Sequence, residues 1–418
     1  MAHSRFGKLL LNDSDDDEMI IKYLMEEGSS SQCNIVQRRY IERDRLQGHE
    51  RLFRDYFAES PVYTPNLFRR RFRMRRSLFL RIQSAVEGHD DYFIQKRDSA
   101  QRLGFSSLQK ITVALRMLAY GVTADFMDEY VRMGESTAME SLKKFVKAVV
   151  SIFSDEYLRS PNNEDIARLL EVGQSLGFPG MLGSIDCMHW KWKNCPAAWK
   201  GMYTGHIHES TVILEAVASH DLWIWHAFFG LPGSHNDINV LDRSSIFSEL
   251  VEGRAPAVNY SINGNDYTMG YYLADGIYPK WSTFVKTIPS PQGEKRKCFA
   301  KLQESTRKDV ERAFGVLQAR FAIIRQPARF FYLETLRDIM KACIILHNMI
   351  IEDERDENVT EGFFHYEQEE ENPHIVLPEK TSCFMEFIRG HQRIRDQEAH
   401  SQLQSDLVEH IWQLKGES

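Results

Sequence analysis

Two apolar, β-rich runs, STVILEAVASH (210–220) and LWIWHAFFG (222–230), meet at a tight turn around His220 and Asp221. β-Branched and aromatic residues at this density on either side of a turn read as a hairpin. A third strand pattern, GSIDCMHW (183–190), precedes them after the loop LGFPG, and a short fourth, YYLAD, follows at 271–275. Between hairpin and fourth strand, Asp237 opens a helical pattern, INVLDRSSIFSEL. A loop rich in Pro, Gly and Lys (288–301) leads to a strong helix over 303–321, with Val310, Phe314, Leu317 and Phe321 as its apolar stripe, and then to a core helix over roughly 333–352. Three strands, a helix, a strand and further helices make a mixed-sheet α/β domain over 176–352.

The preceding residues, 36–175, read as all-α. A charged helix over 36–60 carries Tyr40, Leu46, Phe53 and Phe57, and PVYTP breaks it. The arginine-dense FRRRFRMRRSLFLRIQSAV then runs into an amphipathic helix. Residues 106–153 have a helix-turn-helix character. Ser106 or Ser107 caps a helix through Tyr120, DFMDEYVRM forms a short helix, and Ser136 caps TAMESLKKFVKAVVSIF. That last helix, with Lys143, Lys144 and Lys147, is the candidate reader of a DNA groove, and a plain helical bundle is the alternative. Residues 1–35 read as a disordered acidic terminus, 353–380 as an acidic linker, and 381–418 as holding a terminal amphipathic helix with Leu403, Leu407, Ile411 and Leu414 as apolar positions.

The formal net charge of -7 conceals an asymmetry. Residues 36–86 hold 13 arginines against 5 acids, whereas residues 351–418 hold 6 basic and 17 acidic groups. One positive face is enough to displace counterions from a nucleic acid. Arg69, Arg70, Arg71, Arg73, Arg75 and Arg76 fall within eight positions. Like charges so close repel, so a phosphate backbone is the expected partner, with a solvated helix face or a nuclear-import signal as alternatives. The six cysteines form no CxxC pair, which points to a reducing compartment. No uncharged apolar stretch approaches the roughly 18 residues of a membrane span.

Four acids stand in strong local contexts: Asp186 in GSIDCMHW, Asp237 in PGSHNDINVL, Asp275 in YYLADGIYP and Glu311 in KDVERAFGVLQARF. Two strand-end acids and a helix acid can converge on one edge of a sheet. Such hard oxygen ligands select Mg²⁺ or Mn²⁺, the ions a nuclease holds against a phosphodiester. Each acid also has a purely structural explanation: turns for Asp186 and Asp275, helix capping for Asp237, pairing with Arg307 or Lys308 for Glu311. The histidines lack HExxH spacing. His235 is a candidate phosphate contact, and His347 reads as a core residue. Trp190, Trp192 and Trp199, interleaved with Lys191, Lys193 and Lys200, are candidates for stacking on unpaired bases or for core packing.

These segments, together with SPVYTPNLFRRRFRMRRSLFLRI, GSIDCMHWKWKNCPAAWKGMYTG, LPGSHNDINVLDRSSIF and ILHNMIIEDE, resemble the PIF/Harbinger superfamily of DNA transposases, closest to the plant Ping/Pong type. The resemblance spans roughly residues 40–415. It implies an RNase H-like catalytic domain with a DDE site: Asp186 and Asp275 as strand carboxylates, Glu311 as the helix carboxylate, and Asp237 as a further metal ligand. It implies two-metal phosphoryl transfer that nicks DNA at terminal inverted repeats and joins the freed end to a short AT-rich target. The implied partners are DNA, a separate Myb/SANT-like accessory protein and further copies of the chain. The implied location is the nucleus, or the cytoplasm without that accessory protein. A domesticated, chromatin-associated descendant without nuclease turnover is the alternative.

Overall fold

The computed structural model describes residues 41, 43–205, 208–244, 258–361 and 394–416, with the side chains of 356–361 excepted. The expected disordered terminus (1–35) lies outside these residues, as do His206, most of the acidic linker and the later part of the helix expected after Asp237.

Seven helices come first: α1 (Arg45–Tyr56), α2 (Pro65–Phe72), α3 (Arg76–His89), α4 (Ser107–Tyr120), α5 (Phe126–Val131), α6 (Glu135–Tyr157) and α7 (Asn163–Ser175). Ser106 caps α4 in a capping box with Gln109, and Gly121 ends it in the left-handed region. The residue preceding α6 is Gly134, so Ser136 is not its cap. Helix α6 buries Leu142, Phe145, Val149 and Phe153 and packs against α3, α4 and a long later helix, α13 (Leu333–Glu361). It is a core helix that leaves only a strip of surface, with Lys147 exposed and Lys143 and Lys144 half-buried.

The sheet comprises β1 (Met181–Lys191), β2 (Thr211–Ala218), β3 (Ile224–Pro232), β6 (Tyr271–Ala274) and β7 (Phe284–Lys286), in the order β3-β2-β1-β6-β7. The β1–β2 and β2–β3 pairs are antiparallel, whereas β1–β6 and β6–β7 are parallel. This is the mixed-sheet α/β architecture expected, with the hairpin in place. Helices α8 (Ala197–Tyr203) and α9 (Asp237–Leu241) follow β1 and β3, and a small hairpin, β4 (Tyr260–Ile262) and β5 (Asn265–Tyr267), precedes β6. The sequence did not announce β4, β5 or β7, each only three residues long.

The loop expected over 288–301 and the single helix over 303–321 are both corrected. Two helices, α10 (Glu294–Arg307) and α11 (Asp309–Arg320), meet at Lys308, and the short α12 (Ala322–Arg325) follows. The charged start of α10 hid its inner face of Phe299, Ala300, Gln303 and Thr306. Helix α13 runs on through Glu361, into the stretch read as linker. The terminal helix α14 (Gln397–Gly416) buries Leu403, Leu407 and Ile411 as expected, but Leu414 is exposed.

One continuous core joins the helical region to one sheet face, running from Phe72 and Phe145 through Leu346 to Leu214 and Trp190. Asn348, fully buried on α13, fastens this junction. Its side chain accepts from the Ile224 amide (3.0 Å) and donates to the carbonyls of Ile224 (2.8 Å) and Tyr157 (2.7 Å). Replacing it leaves three buried backbone groups unpaired. Asn348→Ala should therefore lower unfolding stability by about 3 kcal/mol in denaturant titration, whereas a change below about 0.5 kcal/mol would remove it from this role.

Candidate active site: an acidic cluster on the central strand

Asp186 lies on β1, the middle strand of the sheet, opposite Ala216 of β2 and just past the end of the β6 ladder at Ser184. Gly183, three residues earlier, has φ 149, and a Cβ there would lie 2.7 Å from the Ala218 carbonyl. Only glycine lets the strand pass at this point. Asp186 Oδ1 accepts from the Cys187 amide at 2.8 Å. Its carboxyl is pushed up from 3.8 to about 6, first by burial and then by repulsion from Asp237, Glu311 and Asp275. The four acids singled out from the sequence thus share one electrostatic field.

Each is held differently. Asp275 follows β6, and its Oδ1 accepts from the Ile277 amide at 2.6 Å, so the turn role is real. The second oxygen is left over for other work. Asn236, not Asp237, caps α9, accepting from the Asn239 amide at 2.9 Å. Asp237 is therefore released from capping. It bonds the Cys187 thiol, and its own carboxyl is raised by burial, despite that bond, and by repulsion from Asp275 and Glu215. The turn that delivers it packs tightly, because a Cβ on Gly233 would meet Thr211 Oγ1 at 1.8 Å. Glu311, in the first turn of α11, accepts from Arg307 Nη1 at 2.9 Å.

Two further groups belong to this site: Arg307, which the sequence offered as a partner of Glu311, and Glu215, which sequence reasoning passed over. Arg307, with its side chain only 17% exposed, pairs with Glu304 (3.2 Å) and Glu311 (2.9 Å) and feels Asp275. Glu215 lies opposite Cys187 in the β1–β2 register and is fully buried. Among the described residues neither of its carboxylate oxygens has a hydrogen-bond partner, although His226 Nε2 lies 3.4 Å from Oε1. The available signal was that Glu215 is the one charge in TVILEAVA, a strand buried at every position. A lone carboxylate in such a strand is costly and calls for a reason.

The donor chemistry suits a hard divalent cation: four carboxylates, of which Asp186 and Asp237 are raised first by burial and then by neighbouring carboxylates whose repulsion a cation would relieve. As placed, no three His, Cys, Asp or Glu side chains among the described residues converge closely enough to enclose an ion. Glu311 is engaged by Arg307 instead.

The other candidates stand apart from the cluster. His235 Nε2 is bonded to Arg243 (2.8 Å). His347 is a core histidine, as expected. It donates to the Leu222 carbonyl (2.9 Å), accepts from Arg320 (3.1 Å), and burial pushes its pKa down to about 3. Of the arginine run, Arg69 pairs with Glu354 (2.7 Å) and Arg75 with Asp353 (3.4 Å). Arg71 stacks on Tyr63 (3.8 Å) and Arg73 lies over Tyr120 (5.4 Å). Arg76 reaches the Ala58 carbonyl (3.4 Å), and Arg70 is exposed. Lys144 pairs with Asp90 at 3.4 Å. Nothing places these cations beside the carboxylates.

A mixed α/β protein with an acidic cluster on its central strand is the class that fold and site define. Residues 155–358 match the family described as plant transposon protein, and residues 48–87 match a domain of unknown function. Protein ALP1-like from Arabidopsis thaliana is 25% identical over 298 residues, covering 69% of this chain and 71% of that protein. No solved structure matches. These matches support a Harbinger-derived, transposase-like family for this chain.

The raised Asp186 carboxyl has a consequence for stability. A carboxyl that holds its proton more tightly folded than unfolded contributes fully below about pH 4, and that contribution is lost as pH rises through about 6. Without divalent ions, Asp186→Asn should therefore be more stable than wild type at neutral pH, by up to roughly 3 kcal/mol. The difference should close toward pH 4 in denaturant midpoints. A variant less stable at neutral pH would contradict the repulsion.

Proposed function

We propose that this chain is a DDE-type DNA endonuclease of the transposase kind, with an RNase H-like catalytic domain. The sheet supports that domain: three antiparallel-linked strands, then two parallel strands added beside the first, in the order β3-β2-β1-β6-β7. The observation that best supports the activity is that Asp237, Asp275 and Glu311, from three other segments, act on the carboxyl of Asp186 within the stretch that matches the plant transposon protein family. In this reading Asp186, Asp275 and Glu311 are the catalytic ligands and Asp237 is a fourth. Bound there, Mg²⁺ or Mn²⁺ would supply an activated water or 3′-hydroxyl and would stabilise the departing oxygen of the phosphodiester.

The chain's own residues define what that loading requires. Asp186 must be ionised, which its raised pKa opposes below about pH 6. Glu311 must leave Arg307, and the freed guanidinium is then available to a phosphate oxygen. DNA would be positioned by the surface that carries Arg69, Arg70, Arg76 and Lys147, inside a nucleus reached with a Myb/SANT-like accessory protein. Terminal inverted repeats and an AT-rich target are the DNA sequences proposed, with further copies of the chain in the active assembly.

A second reading, a chromatin-associated protein of the same descent without turnover, is favoured by one observation. Glu311 is held by Arg307, and no three candidate ligands among the described residues converge.

Nicking of a terminal-repeat duplex with Mg²⁺ or Mn²⁺, accessory protein present, separates the two. Wild type should cleave, and Glu311→Gln should lose at least about 100-fold in rate, the scale on which removal of a transition-state stabiliser acts. Binding without cleavage by wild type would leave the scaffold reading.

A further inference from the structure

Three tryptophans follow or belong to β1, and the structure separates their roles. Trp190 and Trp192 are buried. Their indole N–H groups donate to the carbonyls of Gln326 and Phe330, both at 2.8 Å. Around them, residues 190–194 are tied to residues 326–330: the Lys193 amide donates to the Ala328 carbonyl (2.9 Å), the Ala328 amide to the Lys191 carbonyl (2.8 Å), and Asn194 Nδ2 to the Arg329 carbonyl (2.6 Å). Trp199, on α8, is 42% exposed. It rests on Trp192 (6.1 Å, 63° between rings) and lies nearly parallel to Tyr203 (6.1 Å, 20°).

The tie joins two stretches that carry no acid. Residues 190–205 contain Lys191, Lys193 and Lys200, and residues 321–333 contain Arg325 and Arg329. Lys191 is paired with Glu209 (2.6 Å), and the other four cations are exposed. In a chain of net charge -7 this is a local positive surface with a tryptophan standing in it, and Met202 and Phe331 are also exposed nearby in the sequence. An exposed indole with one flank braced by aromatic neighbours loses little freedom when a base stacks on it, and the cations suit the phosphates on either side.

We propose that Trp199 is a stacking platform for an unpaired base of DNA, with the exposed Lys193 and Lys200 as its phosphate contacts. This rests on the reading of DNA as substrate, and it does not require cleavage. A protein partner on the same patch is the competing occupant.

The test measures binding of full-length wild type, Trp199→Ala, Trp199→Phe and Lys193→Ala/Lys200→Ala to a single-stranded oligonucleotide, to a duplex with one unpaired 2-aminopurine, and to a fully paired duplex. Trp199→Ala should weaken single-strand and unpaired-base binding by roughly 5- to 100-fold and abolish 2-aminopurine quenching, with paired-duplex binding nearly unchanged. Trp199→Phe should keep most of the affinity. The double lysine variant should flatten the salt slope by about two. Equal affinities for wild type and Trp199→Ala would overturn the platform while leaving DNA as substrate. So would equal losses for the Phe and Ala variants, which mark a structural role, or loss of a protein partner with DNA binding intact. No DNA binding by wild type would overturn both this proposal and the reading beneath it.

Discussion

Strand β1 is hydrogen-bonded on both edges, antiparallel to β2 and parallel to β6, and much of the molecule depends on that double pairing. A central strand cannot slip by one residue without turning its whole apolar set outward. The register therefore holds Asp186 opposite Ala216 and Cys187 opposite Glu215, and brings the end of β6, with Asp275, alongside. Helix α11, which carries Glu311, packs on the same strand, and α13 packs on β3 and reaches back to α6. Carboxylates 125 positions apart in the chain act on one another because β1 is held between β2 and β6.

Charge is arranged with the same economy at the surface. The acidic end of α13 is laid against the arginine-rich segment: Asp353 meets Arg75, and Glu354 meets both Arg69 and Arg320. Segments that look in the sequence like a free basic run and a free acidic linker partly neutralise one another. A nucleic acid on that surface competes with these carboxylates. Such exposed pairs are individually weak and salt-sensitive, so they are readily exchanged. In the basic tie around Trp199, Lys191 is paired with Glu209, and Lys193 and Lys200 are exposed.

The sheet was legible where apolar and β-branched residues were dense. The 210–230 hairpin and the GSIDCMHW strand stood out for that reason, whereas β4, β5 and β7 are too short to show a period. Helix α10 was hidden by EKRK at its start, because its inner face is only Phe299, Ala300, Gln303 and Thr306. The four acids were recognisable from their local motifs, and the structure brings them into one field. Glu215 was not, because its significance lies in a burial that only the fold supplies, whereas the Arg307–Glu311 pair was open to helical spacing and is formed. The capping role of Asn236 likewise became visible only in the backbone of α9, and it frees Asp237 from that duty. The tryptophans were left open by sequence because Trp190, Trp192 and Trp199 look alike in a string. Only the carbonyls of Gln326 and Phe330 distinguish them.

The central claim is that repulsion among Asp186, Asp237, Asp275 and Glu311 marks a site for a divalent cation. Its most direct test is the thermal midpoint of wild type and Asp186→Asn titrated with Mn²⁺. The account predicts a saturable rise for wild type, as mass action requires of a ligand that binds only the folded state, smaller below about pH 6 and lost in the variant. A midpoint that does not move with Mn²⁺, or that moves equally in both proteins, would contradict it.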